Sequence, residues 1–187
     1  YTATDYIGNT GTTEYTFKED NSAPTLNDAM SAYSESGDTG EVHGDTSTNT
    51  FYFSNSFTSS ATSTFTATGT DSGDAGVYGI HFGTFGGDTP GNDTTSAYQG
   101  SYTIDDSDTA GSITVTIYDN VANSASDTIT CTEDITGPTA PTGAACHDDQ
   151  HSGNAEWDDD TNIYFTYNED STDAGAGVEG YYSEICN

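Results

Sequence analysis

Nine acidic residues stand where they could hold an oxygen-seeking cation: Glu19, Asp20, Asp71, Asp74, Asp119, Glu133, Asp134, Asp170 and Asp173. Most fall in short clusters. Glu19-Asp20 and Glu133-Asp134 each precede a proline by a few positions. Asp71 and Asp74 share one Gly-containing stretch, and Glu169, Asp170 and Asp173 lie in or beside another. Calcium takes about six to eight oxygen ligands, several of them carboxylates with backbone carbonyls alongside. The clusters offer that donor type, so Ca2+ is the expected cofactor, although the spacing matches no EF-hand loop. The competing reading is that these carboxylates only keep the surface hydrated.

Other residues with chemical potential are less informative. The stretch "CHDDQHSG" places His147 and His151 four positions apart, next to Cys146. That spacing suits zinc on a helix. On a strand or loop the side chains do not converge, and the stretch then reads as a solvated polar loop. Trp157 either packs in a core or stacks on a sugar ring. Paired carboxylates say nothing about acid–base catalysis in so acidic a chain, because any two can be found close together. Gly-x-Ser-x-Gly, His-Glu-x-x-His and phosphate-loop patterns are absent, and no enzyme is expected.

Charge sets the wider limits. Lys and Arg together number 1, against 31 Asp and Glu, for a net charge of -30. Nucleic acid is excluded as a partner, since there is almost no cation to neutralise phosphate. An anionic membrane surface would repel the chain. Salt or divalent cations must screen the self-repulsion. An aromatic content of 12% argues against disorder, because disordered acidic chains are poor in aromatics. No apolar run approaches the roughly 20 residues of a membrane span. The first residue is Tyr1 rather than Met, so a processed chain or part of a longer one is expected. Among the three cysteines, Cys146 and Cys186 are a candidate disulfide, and Cys131 is free or paired outside this stretch. Asn92-Asp93-Thr94 is a candidate glycosylation site at Asn92.

The elements that must position these residues are strands. Apolar residues alternate with polar ones at Ile113, Val115 and Ile117, at Ile129 and Cys131, at Phe51 and Phe53, at Ile163, Phe165 and Tyr167, and at Tyr15 and Phe17. Period two in β-branched and aromatic residues marks half-buried strands. Gly, Ser, Thr, Asp and Asn punctuate the sequence too often for long helices. Many short strands separated by turns predict an all-β fold of antiparallel sandwiches, with Phe65, Val77, Ile113, Val115, Ile117 and Ile129 buried.

The sequence also repeats. "TATDYIGNTGTTEYTFKED" from Thr2 returns as "TIYDNVANSASDTITCTED" from Thr116, a spacing of 114 positions (119 minus 5 for the shared aspartate). In that one register Asn9 matches Asn123, Thr16 matches Thr130, Glu19 and Asp20 match Glu133 and Asp134, and Pro24 matches Pro138. "FTATGTDSGDAGV" from Phe65 returns as "FTYNEDSTDAGAGV" from Phe165. Self-similarity of this kind predicts consecutive copies of one unit. The expected division is closing strands of one domain over residues 1–21, a complete domain over 22–135, and the opening half of another over 136–187.

The hairpin "TVTIYDNVANSASDTIT" followed by "TGPTAP" resembles the closing hairpin and linker of bacterial and archaeal immunoglobulin-like surface repeats. "GAGVEGYY" is similar to a stretch of fibronectin type III-like modules. The resemblance implies tandem immunoglobulin-like sandwiches at the cell surface or outside the cell, in a surface layer, an adhesin stalk or a filament. It implies flanking repeats or other copies of the chain as partners, and calcium stiffening the junctions. The alternative is a carbohydrate- or peptide-binding module, with glycans as partners. A half domain has open strand edges. Residues 1–21 of one subunit are therefore expected either to complete the 136–187 half of the next, head to tail, or to find their missing strands in a longer chain.

Overall fold

The computed structural model describes residues 1–143, 145–147 and 164–182. The chain is all-β. Among the described residues the only helical element is one 3-10 turn, Thr39–Glu41.

Two sheets enclose a single core. The first holds β3 (Thr25–Gly37), β6 (Ala61–Thr70) and β9 (Tyr98–Ile104), with antiparallel neighbours. The second runs in the order β4 (Val42–Asp45), β5 (Thr50–Phe53), β11 (Ser124–Glu133), β10 (Gly111–Asp119), β7 (Val77–Phe82) and β8 (Gly91–Asp93). All its pairings are antiparallel except β5 on β11, which is parallel. Two further two-stranded antiparallel sheets are separate from these: β1 (Thr2–Thr4) with β2 (Thr10–Thr12), and β12 (Ala145–His147) with β13 (Tyr164–Thr166).

The expected alternation determines which residues enter the core. Ile113, Val115, Ile117, Ile129 and Phe65 are completely buried, and Val77 is partly buried against them. Phe51, Phe53, Phe65, Phe85 and Tyr102 form an aromatic spine between the sheets, with ring centroids 5.2 Å apart for Phe51 and Phe65 and 5.6 Å for Phe65 and Tyr102. The buried Tyr102 hydroxyl donates to the Gly83 carbonyl at 2.6 Å, so this polar tip is satisfied. Gly100 lies where a side chain would collide with the Phe82 ring, which lets β9 approach the opposite sheet. In β3 the register slips around Asp28 to Ala32, and the successive residues Ala29 and Met30 are both buried. A regular strand would turn one of them to solvent.

Not every expected strand forms. Tyr15 and Phe17 alternate like strand residues but lie outside any strand, at 66% and 94% exposure. Ile129 and Cys131, with the same pattern, both pair with β10, and Cys131 also has β5 on its other side. Among the described residues no strand lies beside Tyr15 and Phe17, and alternation without a ladder partner does not make a strand. Tyr167 lies just past β13 and packs on Tyr181 at 5.1 Å. Ile163 is outside the described residues.

Cys131 is buried and unpaired, and burial pushes its thiol up to about 12. Native chain at pH 8 should therefore resist alkylation at this cysteine. Removing the centre of the spine with Phe65→Ala should cost about 3–5 kcal/mol in urea unfolding and bring Cys131 labelling on at lower denaturant. Unchanged stability would place Phe65 outside the core.

Candidate functional site

Three segments converge at one end of the two sheets. The inward-facing register of β10 runs Ile113, Val115, Ile117 and then Asp119, so the last inward position carries a carboxylate, only 2% exposed. Asp119 opens the turn into β11. Its Oδ1 accepts the backbone N–H groups of Val121 and Asn123, both at 2.9 Å, and its Oδ2 accepts Asn123 Nδ2 at 2.7 Å. Burial works against the charge of Asp119. The Asn123 amide and the turn N–H groups outweigh it and hold the carboxyl below its usual range.

The loop from β6 to β7 closes in the same way. Asp71 accepts Gly73 N at 2.9 Å and Gly76 N at 2.8 Å. Asn120 ties it to the neighbouring turn, its N–H donating to the Gly76 carbonyl and its Nδ2 to the Ala75 carbonyl. The third segment is the linker before β3. Asp20 Oδ2 accepts Ala75 N at 2.9 Å and its Oδ1 accepts Ser22 N at 2.9 Å. Asn123 Nδ2 also lies 3.1 Å from the Asp20 carbonyl, fastening the linker to the β10–β11 turn. A side chain at Gly73 would occupy the space of the Asp20 carboxylate, so only glycine admits the linker this closely.

One carboxylate oxygen from each of Asp20, Asp71 and Asp119 lies within 4.8 Å of the other two. Each of the six oxygens in the group already accepts an N–H. These donors offset part of the repulsion among three like charges. A carboxylate oxygen can accept more than one partner, so the group still presents oxygen toward a common point. Its donor set is entirely hard oxygen, the kind preferred by calcium or magnesium rather than zinc.

The other acidic residues named from the sequence are placed elsewhere. Glu19 accepts from Asn21 Nδ2 at 2.8 Å. Asp74 pairs with Lys18 at 2.9 Å, both side chains well exposed, a contact of little energetic weight. Glu133 ends β11. Asp170 accepts the N–H and hydroxyl of Thr142, which hold its carboxyl below the usual range. Asn92 and Thr94 are exposed, on and beside β8. His151, Trp157, Cys186 and the side chains of Cys146 and His147 fall outside the described residues.

Asp134 and Asp173 reproduce two-thirds of the triad. Asp134 Oδ2 accepts Ala176 N at 2.8 Å, as Asp20 accepts Ala75, and Gly175 leaves room for it as Gly73 does for Asp20. Asp173 accepts Gly175 N at 3.2 Å and Gly177 N at 2.9 Å, as Asp71 accepts Gly73 and Gly76. Asp5 closes its turn as Asp119 does, accepting Ile7 N, Asn9 N and Asn9 Nδ2 at 3.0, 2.9 and 2.7 Å. Sequence reasoning paired these positions as repeats. It left Asn123, Gly73 and Asp5 out of the site, although the shared Asp-x-x-x-Asn spacing was the available signal.

A comparison with protein families, curated proteins and solved structures gives no match to this chain.

Ala122 holds a left-handed φ of 72° in the turn where the first copy has Gly8 at 94°. Ala122→Gly should stabilise the chain by about 0.5–1 kcal/mol, read as a higher Tm; a lower Tm would contradict the assigned turn. Acid should act through Asp119. With the folded carboxyl below its usual range, its contribution is full above the unfolded value and lost as pH falls through the folded one. Asp119→Asn should therefore lower the Tm at pH 7 and flatten its fall below about pH 4, compared with the parent chain. Parallel acid limbs would contradict this.

Proposed function

We propose that the chain is a structural segment of an extracellular tandem array of immunoglobulin-like β-sandwiches, in a surface layer, an adhesin stalk or a filament. The observation that carries the reading is the recurrence of one junction: Asp20 on the Ala75 amide beside Gly73, and Asp134 on the Ala176 amide beside Gly175. The pairing of β12 with β13 supports it. Ala145 faces Thr166 and Cys146 faces Phe165, as Ala32 faces Thr66 and Tyr33 faces Phe65 in β3 and β6. Strand order supports the immunoglobulin-like class. If β3, β6 and β9 are strands A, B and E, then β7, β10 and β11 are C, F and G, in the sheets where that fold places them.

On this reading residues 22–135 are one complete domain, with domain parts on either side. The triad of Asp20, Asp71 and Asp119 is the calcium position, and the ion would draw linker, loop and turn together. The net charge of -30 suits a location outside the cell or at its surface, where salt and calcium are abundant. A ligand-binding role has one observation in its favour, a cleft of about 320 Å³ beside the stacked rings of His43 and Tyr52.

Brief thermolysin digestion of the full chain tests the reading. The resistant product should span about residues 22–135 and keep a cooperative melt. Calcium should slow the cleavage, and sodium chloride at matched ionic strength should slow it less. A resistant product with unrelated boundaries would contradict the domain division. Equal protection by both salts would remove the calcium position.

A further inference from the structure

We propose that Asp88 and Asp93 lock the free edge of β9 against strand addition by a second copy of the chain, and that unlocking this edge yields a two-fold dimer through β9. The inference goes beyond the tandem reading above and does not depend on it.

β9 is an outer strand of the three-stranded sheet, and among the described residues its one ladder partner is β6. It lies in the middle of the chain, with β8 before it and β10 after it. A bare edge of this kind presents main-chain N–H and C=O groups to any other strand. In an antiparallel ladder those groups face the neighbour at one residue and away from it at the next. The acceptors identify which ones face outward here. Gln99 N donates to Asp93 Oδ2 at 2.9 Å, and Thr103 N donates to Asp88 Oδ2. Alternation turns the Ser101 N–H the same way, between the two capped positions.

Neither cap belongs to the sheet that it closes. Asp93 ends β8 of the opposite sheet, and its other oxygen accepts Thr95 N at 2.9 Å. Asp88 exchanges both backbone hydrogen bonds with Phe85, whose ring is buried against Phe53 and Tyr102. The opposite sheet therefore holds both carboxylates at the β9 edge. An arriving strand would bring carbonyl oxygens to positions that carboxylate oxygens already fill, and an ionised carboxylate has no proton to offer them.

The occupant that fits the unlocked edge is a second β9. On its outer face Gln99, Ser101 and Thr103 lie beside Thr66, Thr64 and Thr62 of β6, all six uncharged. In a chain of net charge -30, neutral surface is where two copies meet with least repulsion. The edge also complements itself. Antiparallel pairing about Ser101 sets Gln99 of one copy opposite Thr103 of the other, and the reverse, so the two three-stranded sheets run on as one. Like surfaces meet, so the contact closes as a dimer and does not propagate.

Hydrogen exchange on the parent chain reads the locks. The Gln99 and Thr103 amides should be protected, and the Ser101 amide between them should exchange faster. Exchange at Gln99 and Thr103 as fast as at Ser101 would overturn the locks. Sedimentation in high salt reads the edge. Asp88→Ala with Asp93→Ala should associate at least about 10-fold more tightly than the parent chain, with Cys131 still resisting alkylation as in a folded core. Asp93→Ala alone, which leaves the turn of Phe85 and Asp88 untouched, should shift association in the same direction. Adding Ser101→Cys to the double variant should give, on oxidation, a dimer linked through position 101, because the paired Cα atoms would stand about 5.5 Å apart, within disulfide range. The same substitution in the parent chain should link far less. Folded variants that associate no more tightly than the parent, or a link at position 101 equally strong with both aspartates in place, would overturn the proposal.

Discussion

With one cation for 31 carboxylates, this chain has almost no salt bridges to form, and its carboxylates turn onto backbone N–H groups instead. Asp5, Asp45, Asp71, Asp93, Asp105 and Asp119 each accept an N–H two positions ahead, or further on as well. The bond stops the strand, starts the turn and stabilises the charge together. Asp38, Asp88 and Asp106 reach across the fold to do the same for Thr58, Thr103 and Phe57. Carboxylate-to-amide bonds therefore take the structural role that Arg and Lys side chains take in ordinary surfaces, with no long side chain to order.

The candidate site is the densest expression of this habit. Asp119 ends the inward row of β10, so the strand period that fills the core with Ile113, Val115 and Ile117 also aims a carboxylate at the end of the sheets. Asp71 closes the loop beside it, and Asp20 enters from the linker because Gly73 leaves space. One arrangement satisfies three turns and ties a linker to the unit that follows. On the proposed reading a cation at the same point would add to contacts that already exist, so its removal would weaken the fold rather than abolish it.

Much of this was legible in the sequence. Alternation identified β5, β10 and β11 and their buried residues, and placed Phe65 of β6 in the core, because period two carries its meaning wherever a ladder partner exists. It misled at Tyr15 and Phe17, which have the pattern without the partner. Acidic clustering named the three triad members but also Glu19, Asp74, Glu133 and Asp170, since composition does not tell a carboxylate facing a turn from one facing solvent. The repeat held the finer information. Asp5 with Asn9 and Asp119 with Asn123 share one spacing because one hydrogen-bond pattern requires it, and Gly73 and Gly175 recur because each faces a linker carboxylate.

The central claim is that linker carboxylates seat on loop amides at both junctions. Hydrogen exchange at the Ala75 and Ala176 amides measures this directly. Both N–H groups should be protected at neutral pH, and Asp20→Ala and Asp134→Ala should each release protection at their own junction alone. Exchange at loop rates in the parent chain, or protection that survives both substitutions, would contradict the claim.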